Sequence, residues 1–285
     1  MSVLPLGLVL ASAMLHATWN LLAKRARGGV VFLWAFSLGT VLLYTPVALL
    51  YFILEAPAFT ATHLGLALGS GVLHLGYFSC LQRGYRAGDL SLVYPLARGS
   101  GPALATALAI LLLGERPGTQ ALVGTALVVA SVFVLSSGSK SAVLARRAAI
   151  GYGLLTGLFI ASYTVWDGFA VGRAGASPLL YLMAGEVART LLVTPLALRR
   201  PDDLRELWRD YRLEVVGVAV LAPGAYLLVL TALQLAPISL VAPVREIGIL
   251  FATVLGTRAL AEGEGRKRAF AAVAMVTGVV LLALA

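Results

Sequence analysis

A chain of 285 residues that is 60% hydrophobic and only 12% charged departs from soluble domains, which carry roughly 45–50% apolar and about 25% charged residues. That composition places it in the membrane class. The net charge of +9 is no nucleic-acid signature, because the basic residues fall in short stretches between apolar runs, the pattern that orients membrane proteins.

Ten apolar runs approach the roughly 20 residues that a helical span needs: 4–23, 30–53, 64–82, 90–113, 119–137, 149–171, 178–198, 214–234, 238–260 and 267–285. The first is too long for a signal-peptide core and is read as a span. The connectors are short. The longest, Arg199 to Leu213, holds five arginines and four acids and reads as a solvated loop or surface helix. Ser136-Ser-Gly-Ser-Lys-Ser141, at the midpoint, has the composition of a flexible linker. The single cysteine, Cys80, rules out an internal disulfide and a multi-cysteine metal site and reads as a packing residue.

The midpoint divides two related halves. His16-Ala-Thr-Trp-Asn20 in the first span matches Tyr163-Thr-Val-Trp-Asp167 in the sixth. Phe32 to Pro46 matches Tyr181 to Pro195, with six identities including the closing Thr-Pro. Ser91-Leu-Val-Tyr-Pro95 matches Ser239-Leu-Val-Ala-Pro243, with four identities in five. The offset stays between 147 and 149 residues. Three matches in one order point to duplication. Five spans per half turn the second half over in the membrane, the inverted-repeat plan of many secondary transporters. The expected architecture is therefore an all-α membrane protein of ten transmembrane helices. Its first five-helix repeat is 1–137, its linker 138–148, and its second, inverted repeat 149–285.

Loop charge sets an orientation. Loops after odd-numbered spans carry 17 of the basic residues, and the opposite side carries only Arg116 and Arg173. This predicts that the odd-numbered loops are cytoplasmic and both termini outside.

These residues resemble the drug/metabolite transporter superfamily, and within it the EamA-type ten-span transporters. The markers are His16-Ala-Thr-Trp-Asn20, the run Ser91-Leu-Val-Tyr-Pro-Leu-Ala-Arg98, Leu113-Gly-Glu115 closing the fourth span, and Pro243-Val-Arg-Glu246 in the ninth. In the second half Leu260-Ala-Glu262 stands where a second Leu-Gly-Glu is expected. The resemblance implies a multi-pass plasma-membrane carrier of small solutes, often an exporter of amino acids or related metabolites. Its central cavity would be lined by spans 1, 3, 4, 6, 8 and 9, with spans 5 and 10 bracing. It also implies cytoplasmic termini, the reverse of the loop-charge expectation.

Six charged residues fall inside spans: Arg98, Arg189, Arg245, Asp167, Glu186 and Glu246. A charge facing lipid costs at least ~2.5–3.5 kcal/mol, so each should turn inward and find a partner. Glu186 and Arg189, three apart on one helical face, read as a structural ion pair. Arg98 and Glu246 stand at matched positions of the two halves and are expected to approach each other across the pseudo-two-fold axis. Asp167 replaces Asn20 of the first repeat and is the candidate for proton coupling, with permanent pairing to Arg98 or Arg189 as its alternative. His16 is a second candidate proton site or a hydrogen-bonded helix contact.

Trp19, Asn20, Tyr94, Arg98, Trp166, Arg245 and Glu246 form the candidate substrate site. In it, Arg98 or Arg245 would meet a carboxylate and Asp167 or Glu246 an amine. The tryptophans would serve either as opposite cavity walls or as packing anchors. Pro95, Pro102 and Pro243 are candidate kinks, and a fourth, Pro223, reads as a static bend. Glu262-Gly-Glu-Gly265 lacks the context of a phosphate loop. His16, His63 and His74 have no metal-ligand spacing, so neither a metal nor a cofactor is expected.

The leading expectation is a secondary carrier of a small polar or zwitterionic metabolite, in contact with membrane lipid, working by alternating access with proton coupling or exchange. The alternatives are an intramembrane enzyme on a lipid-linked substrate, which needs a dyad or metal site, and a non-transporting sensor subunit, which needs an effector region.

Overall fold

The computed structural model of the chain describes residues 1–26, 29–87, 90–135, 143–251 and 265–285, and almost all of this backbone is helical. The helices are α1 (Val3–Arg25), α2 (Val30–Glu55), α3 (Ala61–Ala87), α4 (Leu90–Leu113), α5 (Thr119–Leu135), α6 (Val143–Gly172), α7 (Pro178–Ala197), α8 (Pro201–Leu235), α9 (Ile238–Val244) and α10 (Gly265–Leu284). Seven helices among the described residues are long and apolar enough to cross a membrane, and two shorter apolar ones match the fifth and tenth spans. The Ser136–Ser141 stretch, Gly88-Asp89 and Leu260-Ala-Glu262 lie outside the described residues, as does the end of the ninth span beyond Phe251.

Helix packing repeats with the two-fold order that an inverted duplication requires. If α1 to α5 correspond to α6 to α10, then α1 on α8 is the counterpart of α6 on α3, and α2 on α8 that of α7 on α3. The contacts α2–α7, α4–α9 and α5–α10 each pair a helix with its own counterpart, and all of these contacts are present. The chain is thus an all-helical membrane protein of two inverted five-helix repeats.

Close approach depends on small residues, since lipid supplies no hydrophobic drive between helices. On α6, a Cβ added to Gly157 would lie 2.0 Å from the Ser100 hydroxyl of α4, and one at Gly153 would lie 2.9 Å from Leu96. The glycines therefore let α4, which carries Arg98, sit against α6, which carries Asp167. Gly124 of α5 and Gly278 of α10 face each other in the same way, each opposing the other's carbonyl oxygen. In α3, Gly69 lies under Trp166 and Gly71 against Ala188 and Gly185, whereas Gly65 touches nothing.

The prolines act differently from one another. Helix α4 stays helical through Pro95 and Pro102, so neither interrupts it. Pro243 is followed by a 3-10 turn over Arg245–Ile247 before helix resumes at Gly248. That tightening presents Arg245 and Glu246. Pro223 cannot donate to the carbonyl of Ala219 four residues earlier. The Thr40 hydroxyl of α2 fills that acceptor at 2.9 Å. Beside it, Tyr44 donates to Val220 O at 2.7 Å and Ser12 of α1 to Ala225 O at 2.7 Å. The backbone of α8 around Pro223 is thus held by side chains of α1 and α2, which satisfies groups that lipid could not.

The basic Arg199–Leu213 stretch is a surface helix. Its charges pair along the exposed face, Arg205 with Asp202 and Arg209 with Asp210. Leu207 turns inward among Val31, Phe32 and Val215. Tyr211 leaves helical geometry (φ −133°, ψ 22°), and the apolar span proper begins after it.

Candidate functional site

The charges inside the spans gather where α4, α6, α7, α8 and the turn after α9 converge. Arg98 of α4 and Glu246 of the turn, 8% and 3% exposed, face each other with Nε and Oε2 3.1 Å apart. The N–H does not point along that contact, and neither atom completes a hydrogen bond. The pair therefore has its Coulomb attraction while hydrogen-bonding capacity is left over. Tyr94 lies beside Arg98.

Glu186 and Arg189 of α7 form a second pair. Arg189 Nη2 donates to both carboxylate oxygens, at 2.6 and 2.5 Å, and its Nε to Ser37 Oγ of α2 at 3.1 Å. The guanidinium also lies over the Phe36 ring, 5.6 Å from its centre. Nε and Nη2 of this arginine both have partners, consistent with a self-neutralising pair.

Asp167 of α6 is wholly buried and pairs with neither Arg98 nor Arg189. Tyr181 of α7 donates to its Oδ1 at 2.7 Å, and Tyr226 of α8 donates to Oδ2. The other face of this carboxylate environment is aromatic. His74 stacks on Tyr163 at 4.1 Å and meets Tyr226 edge-on at 5.4 Å, and Tyr77 meets Tyr163 edge-on at 5.8 Å. His74 Nδ1 lies 2.9 Å from the Ser70 carbonyl oxygen and 3.2 Å from the Ser70 hydroxyl, so a protonated Nδ1 donates to the carbonyl and a bare Nδ1 accepts from the hydroxyl.

Arg245 closes the set. Its guanidinium lies over the Tyr226 ring at 5.8 Å, and among the described residues it has no carboxylate partner. His16, Tyr77, Tyr94 and Tyr226 keep some accessible surface although each lies deep among protein atoms.

The remaining sequence-predicted residues fall at the edge of this cluster or away from it. Trp19 packs near α2 and α8, edge-on to His16 at 4.7 Å, and its buried N–H has no partner. Asn20 donates to the His16 carbonyl of its own helix at 2.7 Å. Trp166 does not form a cavity wall opposite Trp19. It is 40% exposed, lies over Gly69 of α3, and gives its N–H to Leu66 O at 2.8 Å, so it is an anchor between α3 and α6. The cause is the inversion. Trp19 lies six residues before the end of α1 and Trp166 six before the end of α6, and these two ends lie on opposite sides of the membrane.

Several site residues were not singled out from sequence: His74, Tyr77, Tyr163, Tyr181 and Tyr226. One signal existed. Tyr77 and Tyr226 are separated by 149 residues, the same offset that relates the other matched motifs. Glu115 also has a specific place. Its two oxygens accept the first free N–H groups of α9, from Ile238 at 2.8 Å and Ser239 at 2.9 Å, so the Leu113-Gly-Glu115 marker of the first repeat caps the site helix of the second. A cavity of about 220 Å³ lies beside that cap. The larger groove, about 350 Å³ between α2, α3 and α7, is lined by apolar side chains such as Leu68 and Met183 and contains none of the charges, so it reads as lipid-facing surface.

A family model described as the EamA-like transporter family matches residues 4–137 and 147–284. No curated protein matches the chain. Among solved structures, one described only as the crystal structure of a protein superposes with a TM-score of 0.78 at 16% identity, covering 98% of this chain and 96% of its own. At that identity the likeness shows the fold alone.

Proposed function

The chain belongs to the EamA-like transporter family, a family of membrane transporters of small molecules, and we propose that it is a secondary carrier of a small polar or zwitterionic, amino-acid-like metabolite working by alternating access. The observation that carries this reading is the Arg98–Glu246 contact at 3.1 Å. It joins one repeat to the other at the bundle interior and leaves buried hydrogen-bonding capacity unused. Charges in such a place are expensive to keep, and an interface between inverted repeats is where carriers hold their solute. Trp19, Asn20, Tyr94, Arg98, Arg245 and Glu246 border the solute, with Asp167 and His16 as proton sites. The basic loops face the cytoplasm of the plasma membrane.

The test is flux through purified protein in liposomes, over a panel of amino acids, organic acids, amines and sugars, with and without a pH gradient. Saturable uptake of at least one member, faster with the gradient, is expected. No protein-dependent flux of any member refutes the reading.

A further inference from the structure

Three acids sit inside the spans, and their partners divide them. Glu246 faces Arg98 and Glu186 is bound by Arg189. Protonating either would leave a buried guanidinium without its counter-charge, which is strongly unfavourable. Asp167 instead holds two tyrosine hydroxyls. A hydroxyl both donates and accepts. Asp167 can therefore gain a proton, donate it to one tyrosine oxygen and still accept from the other, without orphaning a cation.

The three arginines divide in the same way. Arg98 and Arg189 have carboxylates, and Arg245 has the face of Tyr226. Tyr226 thus touches both odd members of the set, with its hydroxyl on Asp167 and its ring under Arg245. With Asp167 ionised the six charges sum to zero. With Asp167 protonated one positive charge is left, and Arg245 is the group free to display it.

We propose that Arg245 binds a carboxylate on the transported solute and that Asp167 takes up one proton in the same step, with Tyr226 coupling the two. This rests on the carrier reading above. The proton comes from the aqueous phase and goes to an Asp167 carboxylate oxygen. The solute carboxylate supplies the negative charge that Asp167 gives up, so these six groups and that carboxylate together sum to zero, and an ammonium on the solute adds its own charge. The groups that interact with Asp167 or Arg245 are His16 of α1, His74 of α3, Tyr181 of α7, Tyr226 of α8 and Glu246, and behind them lie Tyr77, Tyr94, Arg98, Tyr163, Glu186 and Arg189. Of these, His16 and His74 are the alternative proton holders, and both are included in the test.

The experiment uses the same proteoliposomes and panel, pairing each carboxylate with its carboxamide. The wild type should move carboxylates and not the matched amides. Arg245→Gln should reduce carboxylate flux at least tenfold, with partial recovery in Arg245→Lys. Asp167→Asn should lose the acceleration of flux by a pH gradient, and the flux that remains should no longer vary with pH. Tyr226→Phe keeps the ring under Arg245 and removes the hydroxyl, so it should shift the pH profile and leave carboxylate selectivity intact. Thermal melting of each variant in detergent reports folding separately. Wild-type flux of amides equal to carboxylates, unchanged carboxylate flux in folded Arg245→Gln, or gradient dependence lost in His16→Gln or His74→Gln but retained in Asp167→Asn overturns the inference while leaving the carrier reading standing. No wild-type flux at all removes both.

Discussion

Arg98 Nε and Glu246 Oε2 lie 3.1 Å apart, one from each repeat, at positions that the duplication makes equivalent. Both groups are buried, so removing one strands the other. A single Arg98→Ala or Glu246→Ala change should destabilise the protein by about 3–5 kcal/mol, the usual cost of breaking a buried pair. Because the partners are related by the pseudo-two-fold, exchanging them as Arg98→Glu with Glu246→Arg should recover part of that loss. Thermal unfolding of the four proteins in detergent gives the coupling. A double variant no better than the sum of the singles would show that the two charges do not interact.

This pair was legible in the sequence because the local offset of 148 residues, set by Ser91-Leu-Val-Tyr-Pro95 against Ser239-Leu-Val-Ala-Pro243, aligns a base with an acid. Trp166 was not. Adjacent residues on a helix diverge by about 100°, so its place next to Asp167 in sequence puts it on another face, against Gly69 and Leu66. The tyrosines around Asp167 were harder still. Tyr181 and Tyr226 come from α7 and α8, and only the packing of three helices brings their hydroxyls to one carboxylate. The fold itself was readable because length and hydropathy nearly determine a transmembrane helix. Eight of the ten expected spans agree with described helices to within six residues at each end, the eighth is the apolar part of α8, which begins earlier at Pro201, and the ninth runs into undescribed chain after its turn.

Glu115 ties the end of α4 to the start of α9 through two N–H groups. Charge-assisted hydrogen bonds of this kind contribute about 1.5–3 kcal/mol each when buried, less where water competes. Glu115→Ala should therefore lower stability by about 1–3 kcal/mol, and Glu115→Gln, which keeps one acceptor oxygen, by less. The specific signature is local: hydrogen exchange at Ser239 to Ala242 should quicken in Glu115→Ala while exchange in α5 and α10 stays as it was. Uniform acceleration through all helices would mean that the cap does not act on α9 in particular.

Thr40 serves the carbonyl that Pro223 leaves open. Thr40→Val keeps the shape and removes the donor, stranding a buried acceptor at a cost of about 1–3 kcal/mol. Pro223→Ala supplies a backbone N–H for the same carbonyl, so Thr40→Val should cost much less in that background. The double-mutant cycle, read by thermal melting, checks it. Equal costs in the two backgrounds would separate Thr40 from the proline.

Orientation follows from the 17 basic residues in loops after odd-numbered spans against Arg116 and Arg173 on the other side. Lysine and arginine near span ends resist translocation, so the Lys24-Arg25, Arg83-Arg86 and Arg199–Arg212 regions should be cytoplasmic and the Glu115–Gly118 and Arg173–Ala176 loops external. The surface helix at the start of α8 fits that placement, since its arginines lie exposed while Leu207 turns inward. A single cysteine introduced at Gly118 or Gly175 in a Cys80→Ala background should react with a membrane-impermeant maleimide on intact cells. One at Arg205 should react only after permeabilisation. The opposite pattern would place the basic loops outside and require that the packing of the inverted repeats, rather than loop charge, sets which way this chain inserts.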